Sequence, residues 1–240
     1  MNRLYKKSKI WFAVAWIIVY VVVGSLADGA SVALGVEKSL TLVLHVLLTA
    51  VALIWLKQNG LLREYGLCRP RAGAGRFLYY IPLIILVSVN LWYGVRMNMG
   101  GLETVLYVGS MLCVGFLEEL IFRGFLFKAM CHGSVKAAVI VSSLTFGIGH
   151  MVNLINGSGA QLVENLCQVC GAVAFGFLFV VIFHRGGSLL PCIAAHSVLN
   201  ALSAFSGEGN QIVTAAILTV GAAVYAVILL KRLPREEVLF

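Results

Sequence analysis

The sequence predicts an all-α polytopic membrane protein, with about eight transmembrane helices around a polar intramembrane cavity. Composition is the first of three observations behind this. Of 240 residues, 60% are hydrophobic and 12% charged, with a mean hydropathy of +0.96, whereas a soluble domain carries about 25% charged residues. Such a balance excludes a water-soluble domain, a disordered chain and a disulfide scaffold. The second is run length: apolar stretches near the roughly 20 residues needed to cross the hydrocarbon core follow one another almost without a break. The third is that charged side chains interrupt one of those stretches, where each costs roughly 2.5–3.5 kcal/mol on insertion scales and so marks function.

The first run, 10–26, follows Arg3, Lys6, Lys7 and Lys9. A basic start resembles a secretion signal, but this apolar run is longer than the usual upper limit of about 15 residues, so it is read as an uncleaved first helix. The next runs are 39–56 and 76–95. The fourth, 103–130, is too long for a perpendicular crossing. Runs at 134–150, 165–183, 188–205 and 211–230 complete the set. All are apolar on every side, unlike the alternating strands of a membrane barrel.

Basic residues accumulate in cytoplasmic connections, which fixes an orientation. With the N-terminus inside, fifteen of the eighteen Lys and Arg residues fall on cytoplasmic connections. Lys38 and Arg96 fall outside and Arg123 lies within the fourth run. The expectation is a multi-pass protein of the cell membrane with both termini cytoplasmic, its partners being membrane lipid and a substrate. The net charge of +8 is then an orientation signal and not a sign of nucleic acid. The chain reads as one integral-membrane domain, 1–240, with a catalytic core at about 103–205 and supporting helices at 1–102 and 206–240. The longest connection, 57–76, is basic, contains Pro70, Gly73 and Gly75, and is expected on the inner membrane face.

Several polar or special residues have plain structural readings. Cys68, Cys113, Cys131, Cys167, Cys170 and Cys192 read as free buried thiols, since the lone Cys167–Cys170 pair lacks the second pair that zinc sites of this type use. Trp11, Trp16, Trp55 and Trp92 fit an interfacial aromatic belt. Gly147, Gly149, Gly171 and Gly176 fit close helix packing. His45, alone in the second run, reads as a hydrogen-bonded core residue.

The fourth run contains GFLEELIFRGFLF, which places Glu118, Glu119 and Arg123 between large apolar residues. Glu119 and Arg123, four apart, share a helical face and can pair. Glu118 is rotated about 100° from its neighbour and has no evident partner, which suits a general base or acid. The fifth run ends with Phe146 and His150 four apart, and the seventh holds His196 and Asn200 at the same spacing. At about 1.5 Å rise per residue, Glu118 and His150 lie about 20 and 24 Å from the turn joining their helices. His196 and Asn200 lie about 12 and 18 Å above the start of theirs. One cluster of Glu118, His150, His196 and Asn200 is therefore expected, and a separation of more than about 10 Å between His196 and Glu118 contradicts it.

A carboxylate, two imidazoles and an amide can activate water and stabilise an oxyanion, as peptide-bond hydrolysis requires. Glu118, His150 and His196 are equally the ligand types of a catalytic zinc site. Both mechanisms stay open at this point. There is no HExxH motif and no pair of membrane aspartates, and Ser158 lies outside the helices.

These residues resemble the CAAX protease and bacteriocin-processing (CPBP, or Abi) family of intramembrane endopeptidases. Its three signatures are Glu-Glu followed after three residues by Arg, Phe and His separated by three, and His and Asn separated by three. They stand here in order as Glu118-Glu119 with Arg123, Phe146 with His150, and His196 with Asn200. The resemblance spans about 103–205. It implies that Glu118 activates water with help from His150, while His196 and Asn200 stabilise the oxyanion. It makes Glu119 and Arg123 a structural pair orienting Glu118, with Phe146 packed beside the site. It implies a zinc requirement only weakly. The implied substrate is a peptide or a membrane-proximal protein segment. Two other readings of the same cluster are a non-catalytic bacteriocin self-immunity protein and a proton- or ion-coupled transporter.

Overall fold

The chain begins with two helices separated by a single capping residue. The Ser8 hydroxyl accepts from the Trp11 amide at 3.2 Å, the usual device for satisfying an orphan N–H at a helix start. The short basic α1 (Asn2–Lys7) ends there and the first apolar run becomes α2 (Lys9–Ala33). In this computed structural model the described residues are 1–70, 80–156 and 161–232. Part of the 57–76 connection, Ser158 and the last eight residues lie outside them.

Among the described residues the fold is all-α. A turn with Gly35 and Lys38 at positive φ leads to α3 (Ser39–Gln58). Next come α4 (Ile81–Val87), α5 (Gly101–Glu118), a π-helical segment (Glu119–Phe127) and α6 (Lys128–Cys131). After a Ser134 cap bonded to the Ala137 amide follow α7 (Val135–Gly149), α8 (Leu162–Gly186), α9 (Leu190–Leu202) and α10 (Gln211–Arg232).

Among the described residues, six helical stretches are long and apolar enough to span a membrane, and two apolar helices, Ile81–Leu91 and Leu190–Phe205, are shorter. The expected third and seventh runs are these two. Pro82 and Pro191 are the second residues of these helices, in the first turn, where the missing N–H of proline costs no helical hydrogen bond. At 1.5 Å per residue, the first of them covers roughly half of a 30 Å core. The fourth run is one stretch, Gly101–Cys131, with the π segment in its second half.

Two apolar clusters hold the bundle. One centres on α8, where Leu178, Phe179, Val180 and Ile182 are buried against α4, α9 and α10. The other packs α2 and α3 around Phe125 of the π segment, with Phe12 and Tyr65 rings 5.0 Å from it. Trp16 and Trp55 belong to that second cluster and are buried, whereas Trp11 and Trp92 are exposed. Only the latter two fit an aromatic belt. Of the cysteines, which are all free, only Cys192 is buried and Cys170 is exposed.

The two ends of the bundle are tied separately. At the end holding the N-terminus, Lys9 pairs with Glu64 at 3.0 Å and the Leu189 amide donates to Gly66 O at 2.8 Å. At the opposite end, Val95 bridges Ser206, Arg96 pairs with Glu208 at 2.5 Å, and the Glu37 amide donates to the Glu103 carboxylate at 3.3 Å.

Candidate active site

The charges of the fourth run sit where the α-helix gives way to π-helix. Glu118 is the last residue of α5, and Glu119 and Arg123 lie in the following π segment. Such segments are rare and often occur at functional sites. Glu119 and Arg123 are fully buried, with Oε1 and Nη1 3.0 Å apart. The contact is not aligned as a hydrogen bond, so it acts as a charge pair. The guanidinium also lies 4.0 Å from the Phe146 ring centroid and 5.6 Å from that of Phe179, and those π faces add cation stabilisation in a dry setting.

His196 joins the two carboxylates. Its Nδ1 lies 2.8 Å from Glu119 Oε1 and its Nε2 lies 3.4 Å from Glu118 Oε2. The contradiction distance of about 10 Å set by the helical rise is not approached. The close crossing that permits this has a definite cause. A Cβ built on Gly115 would overlap the Ser197 side chain and lie 2.7 Å from Ser197 Cα, so α5 and α9 meet at a point where only hydrogen fits. The Ser197 hydroxyl donates to Leu112 O at 3.0 Å across the same crossing.

Glu118 does have a partner besides His196. Tyr20 in α2 donates its hydroxyl to Glu118 Oε1 at 2.8 Å. The Tyr20 ring stacks on His45 at 5.8 Å, and His45 Nδ1 is 2.9 Å from the Ser110 hydroxyl. Glu118 Oε2 makes no hydrogen bond to protein.

His150 ends α7, with Nδ1 3.0 Å from Phe146 O. A carbonyl accepts only, so Nδ1 carries a proton, and in the neutral ring Nε2 then has the lone pair. The Phe146 ring packs edge-on against both His150 (5.1 Å) and His196 (5.6 Å). Asn165 of α8 steadies the end of the helix by donating to His150 O at 2.8 Å.

A cavity of about 930 Å³ unites these groups, lined by Tyr20, His45, Glu118, Phe146, His150 and Asn200 among others. His196, in contact with Glu118, sits in its wall, and Glu119 and Arg123 lie fully buried behind. The structure therefore gathers every residue expected at the site. It distributes them in two layers: Glu118, His150 and Asn200 face the cavity, and Glu119 with Arg123 supports His196 from behind.

Among the described residues, no group of three or more His, Cys, Asp or Glu side chains is placed to hold a metal ion. Glu118, His150 and His196 do not form a three-donor set.

Residues 100–202 match the model of the family described as type II CAAX prenyl endopeptidase Rce1-like. The chain carries an Rce1-like core. That core runs from the start of α5 to the end of α9 and contains all the site residues except Tyr20 and His45. No curated protein and no solved structure matches the chain. That match covers under half of the chain; over it the chain is similar to a family of endopeptidases, and its long apolar helices are those of a membrane protein.

Sequence reasoning missed Tyr20, Ser110 and Gly115, and read His45 as a core residue without linking it to Glu118. Tyr20 and His45 are polar groups in the interior of their spans, away from the ends where interfacial aromatics belong. That was the signal available for them. Gly115 stands three residues before the Glu pair, the position at which the helix crossing must pass. Of the four glycines expected to permit packing, Gly147 and Gly176 do, with added Cβ atoms 3.0 Å from Val173 N and 3.1 Å from Ser143 Cα. Gly149 has open space and Gly171 ordinary contact.

Proposed function

We propose that this protein is a glutamate-dependent intramembrane endopeptidase that hydrolyses a peptide bond in a peptide or membrane-proximal protein segment. The observation carrying the reading is that His196 bridges Glu118 and Glu119 at the wall of a polar cavity inside an apolar bundle.

Glu118 Oε2 has its lone pairs free and accepts a proton from a water in the cavity as that water attacks the substrate carbonyl. His150 Nε2 accepts the water's other hydrogen as a hydrogen bond, orienting it. Asn200 and His196 Nε2–H stabilise the oxyanion that forms, and Glu118 returns its proton to the leaving amine. Glu119 orients the His196 ring by accepting from Nδ1–H, as the buried carboxylate does in a catalytic triad. With His196 protonated on both nitrogens, Glu118, Glu119, His196 and Arg123 sum to zero charge. A neutral set is what a low-dielectric interior tolerates.

The protein resides in the cell membrane with both termini on the cytoplasmic side. Separate Glu118→Gln and His150→Ala variants test the reading. Loss of peptide cleavage in both supports it, and persistence of cleavage in both rejects it. A protective phenotype against a bacteriocin that survives both substitutions, with no cleavage by the unaltered protein, favours the immunity role.

A further inference from the structure

Among the described residues, the lining of the cavity reaches one end of the bundle. Its rim is formed by Asp28, Glu37, Lys38 and Glu103, and its floor by Tyr20 and Phe122. Along α5, Glu103 and Glu118 are separated by about 22 Å at 1.5 Å per residue, so the carboxylate lies deep below the rim. Among the described residues, none of the lining comes from the opposite end, where the start of α2, the 59–70 turn and the α8–α9 connection are tied together.

Charge divides between the same two ends. The end away from the cavity holds Arg3, Lys6, Lys7, Lys57, Arg63 and Lys136 with others, against Glu64 as its acid among the described residues. The cavity end holds Asp28, Glu37, Glu103, Glu164 and Glu208 against Lys38 and Arg96. Basic ends of membrane bundles face the cytoplasm. At the rim, Lys38 is taken up by Asp28 at 2.7 Å, and Glu37 and Glu103 have no cationic partner among the described residues.

We propose that the cavity is entered from the extracytoplasmic face, and that its net-negative rim selects a peptide segment with positive charge near the bond presented to Glu118. The substrate part of this rests on the endopeptidase reading; the orientation does not. A segment displayed on the cytoplasmic surface meets the closed, basic end of the bundle.

Thiol labelling tests this without catalysis. Ser25 and Met111 line the cavity between rim and floor and are partly exposed. Ser25→Cys and, as a second position, Met111→Cys are treated with membrane-impermeant methanethiosulfonates, one cationic and one anionic. Reaction is measured in right-side-out and inside-out membrane vesicles, with the unaltered chain as the blank for its own six cysteines. Reaction in right-side-out vesicles is expected. The cation-to-anion rate ratio is expected to exceed that of glutathione by about two- to threefold at physiological salt, the effect of two carboxylates near 10 Å. Glu37→Gln with Glu103→Gln should return the ratio to the glutathione value. Reaction in inside-out vesicles alone, no reaction at either position from either side, or a ratio no higher than glutathione's would overturn the proposal. Labelling as expected without peptide cleavage would sink the protease reading and leave the orientation standing.

Discussion

Replacing Gly115 with alanine should separate α5 from α9 and disable the site without touching any polar group in it. The added Cβ would sit 2.5 Å from Ser197 N and 2.7 Å from Ser197 Cα, whereas carbon atoms pack at about 3.5–4.0 Å. Both contacts are backbone, so no side chain can rotate away and the helices must part by about 1 Å at the crossing. Overpacking of this kind costs roughly 1–3 kcal/mol. The same displacement carries His196 away from Glu118 and Glu119, and a 1 Å misplacement costs about 10²-fold in rate. Gly29→Ala is the matched control. Gly29 is also helical but has nothing within 4 Å of an added Cβ, so the substitution should stabilise by up to about 1 kcal/mol through helix propensity. Thermal unfolding in detergent and cleavage of a quenched peptide library read the two effects. Unchanged stability and turnover in Gly115→Ala would refute the claim that this crossing holds His196 in place.

Removing the charge of Arg123 with Arg123→Met should destabilise by about 3–5 kcal/mol, because Glu119 is left buried without a counter-charge. Adding Glu119→Gln should recover a large part of that loss in a double-mutant cycle of unfolding free energies, and strict additivity would argue against the pair. Tyr20→Phe deletes the 2.8 Å hydrogen bond to Glu118; a bond to a charged group is worth about 1.5–3 kcal/mol, so kcat should fall by roughly ten- to a hundredfold while the melting temperature stays close to that of the parent. An undiminished kcat would remove Tyr20 from the site. Gly66 has φ +72° and an added Cβ would lie 2.9 Å from Leu189 N, so Gly66→Ala should lower the melting temperature through the basic end of the bundle. At a temperature where that variant is fully folded its kcat should match the parent, and a loss there would mean that the two ends are coupled.

The site was far more legible in the sequence than the architecture around it. Glu118, Glu119 and Arg123 stand out because lipid penalises each of them, and the four-residue spacings of Phe146–His150 and His196–Asn200 place each pair on one helical face. Rise per residue then brought the helices to matching depths, and the 3.4 Å contact between His196 and Glu118 fulfils that arithmetic. The π segment was not legible, since no local propensity of the residues in 119–127 marks π geometry. Nor was the bridging role of His196: two neighbouring glutamates diverge by about 100° on an α-helix, and only the Gly115 crossing brings one imidazole between them. The third run was read past its end, since hydropathy does not show its helix stopping at Leu91, whereas the seventh, expected over 188–205, is found at Leu190–Phe205. Tyr20 and His45 were readable as mid-span polar groups, but nothing in the sequence said which of the other helices they would face.

The central claim is that Glu118 activates the water that cleaves a peptide bond. Cleavage of a quenched peptide library by the purified protein, compared with its folded Glu118→Gln variant, tests it most directly. The account predicts cleavage by the parent and a loss of roughly 10²- to 10⁴-fold in the variant, the range of general-base catalysis. Equal cleavage by the two proteins would contradict it.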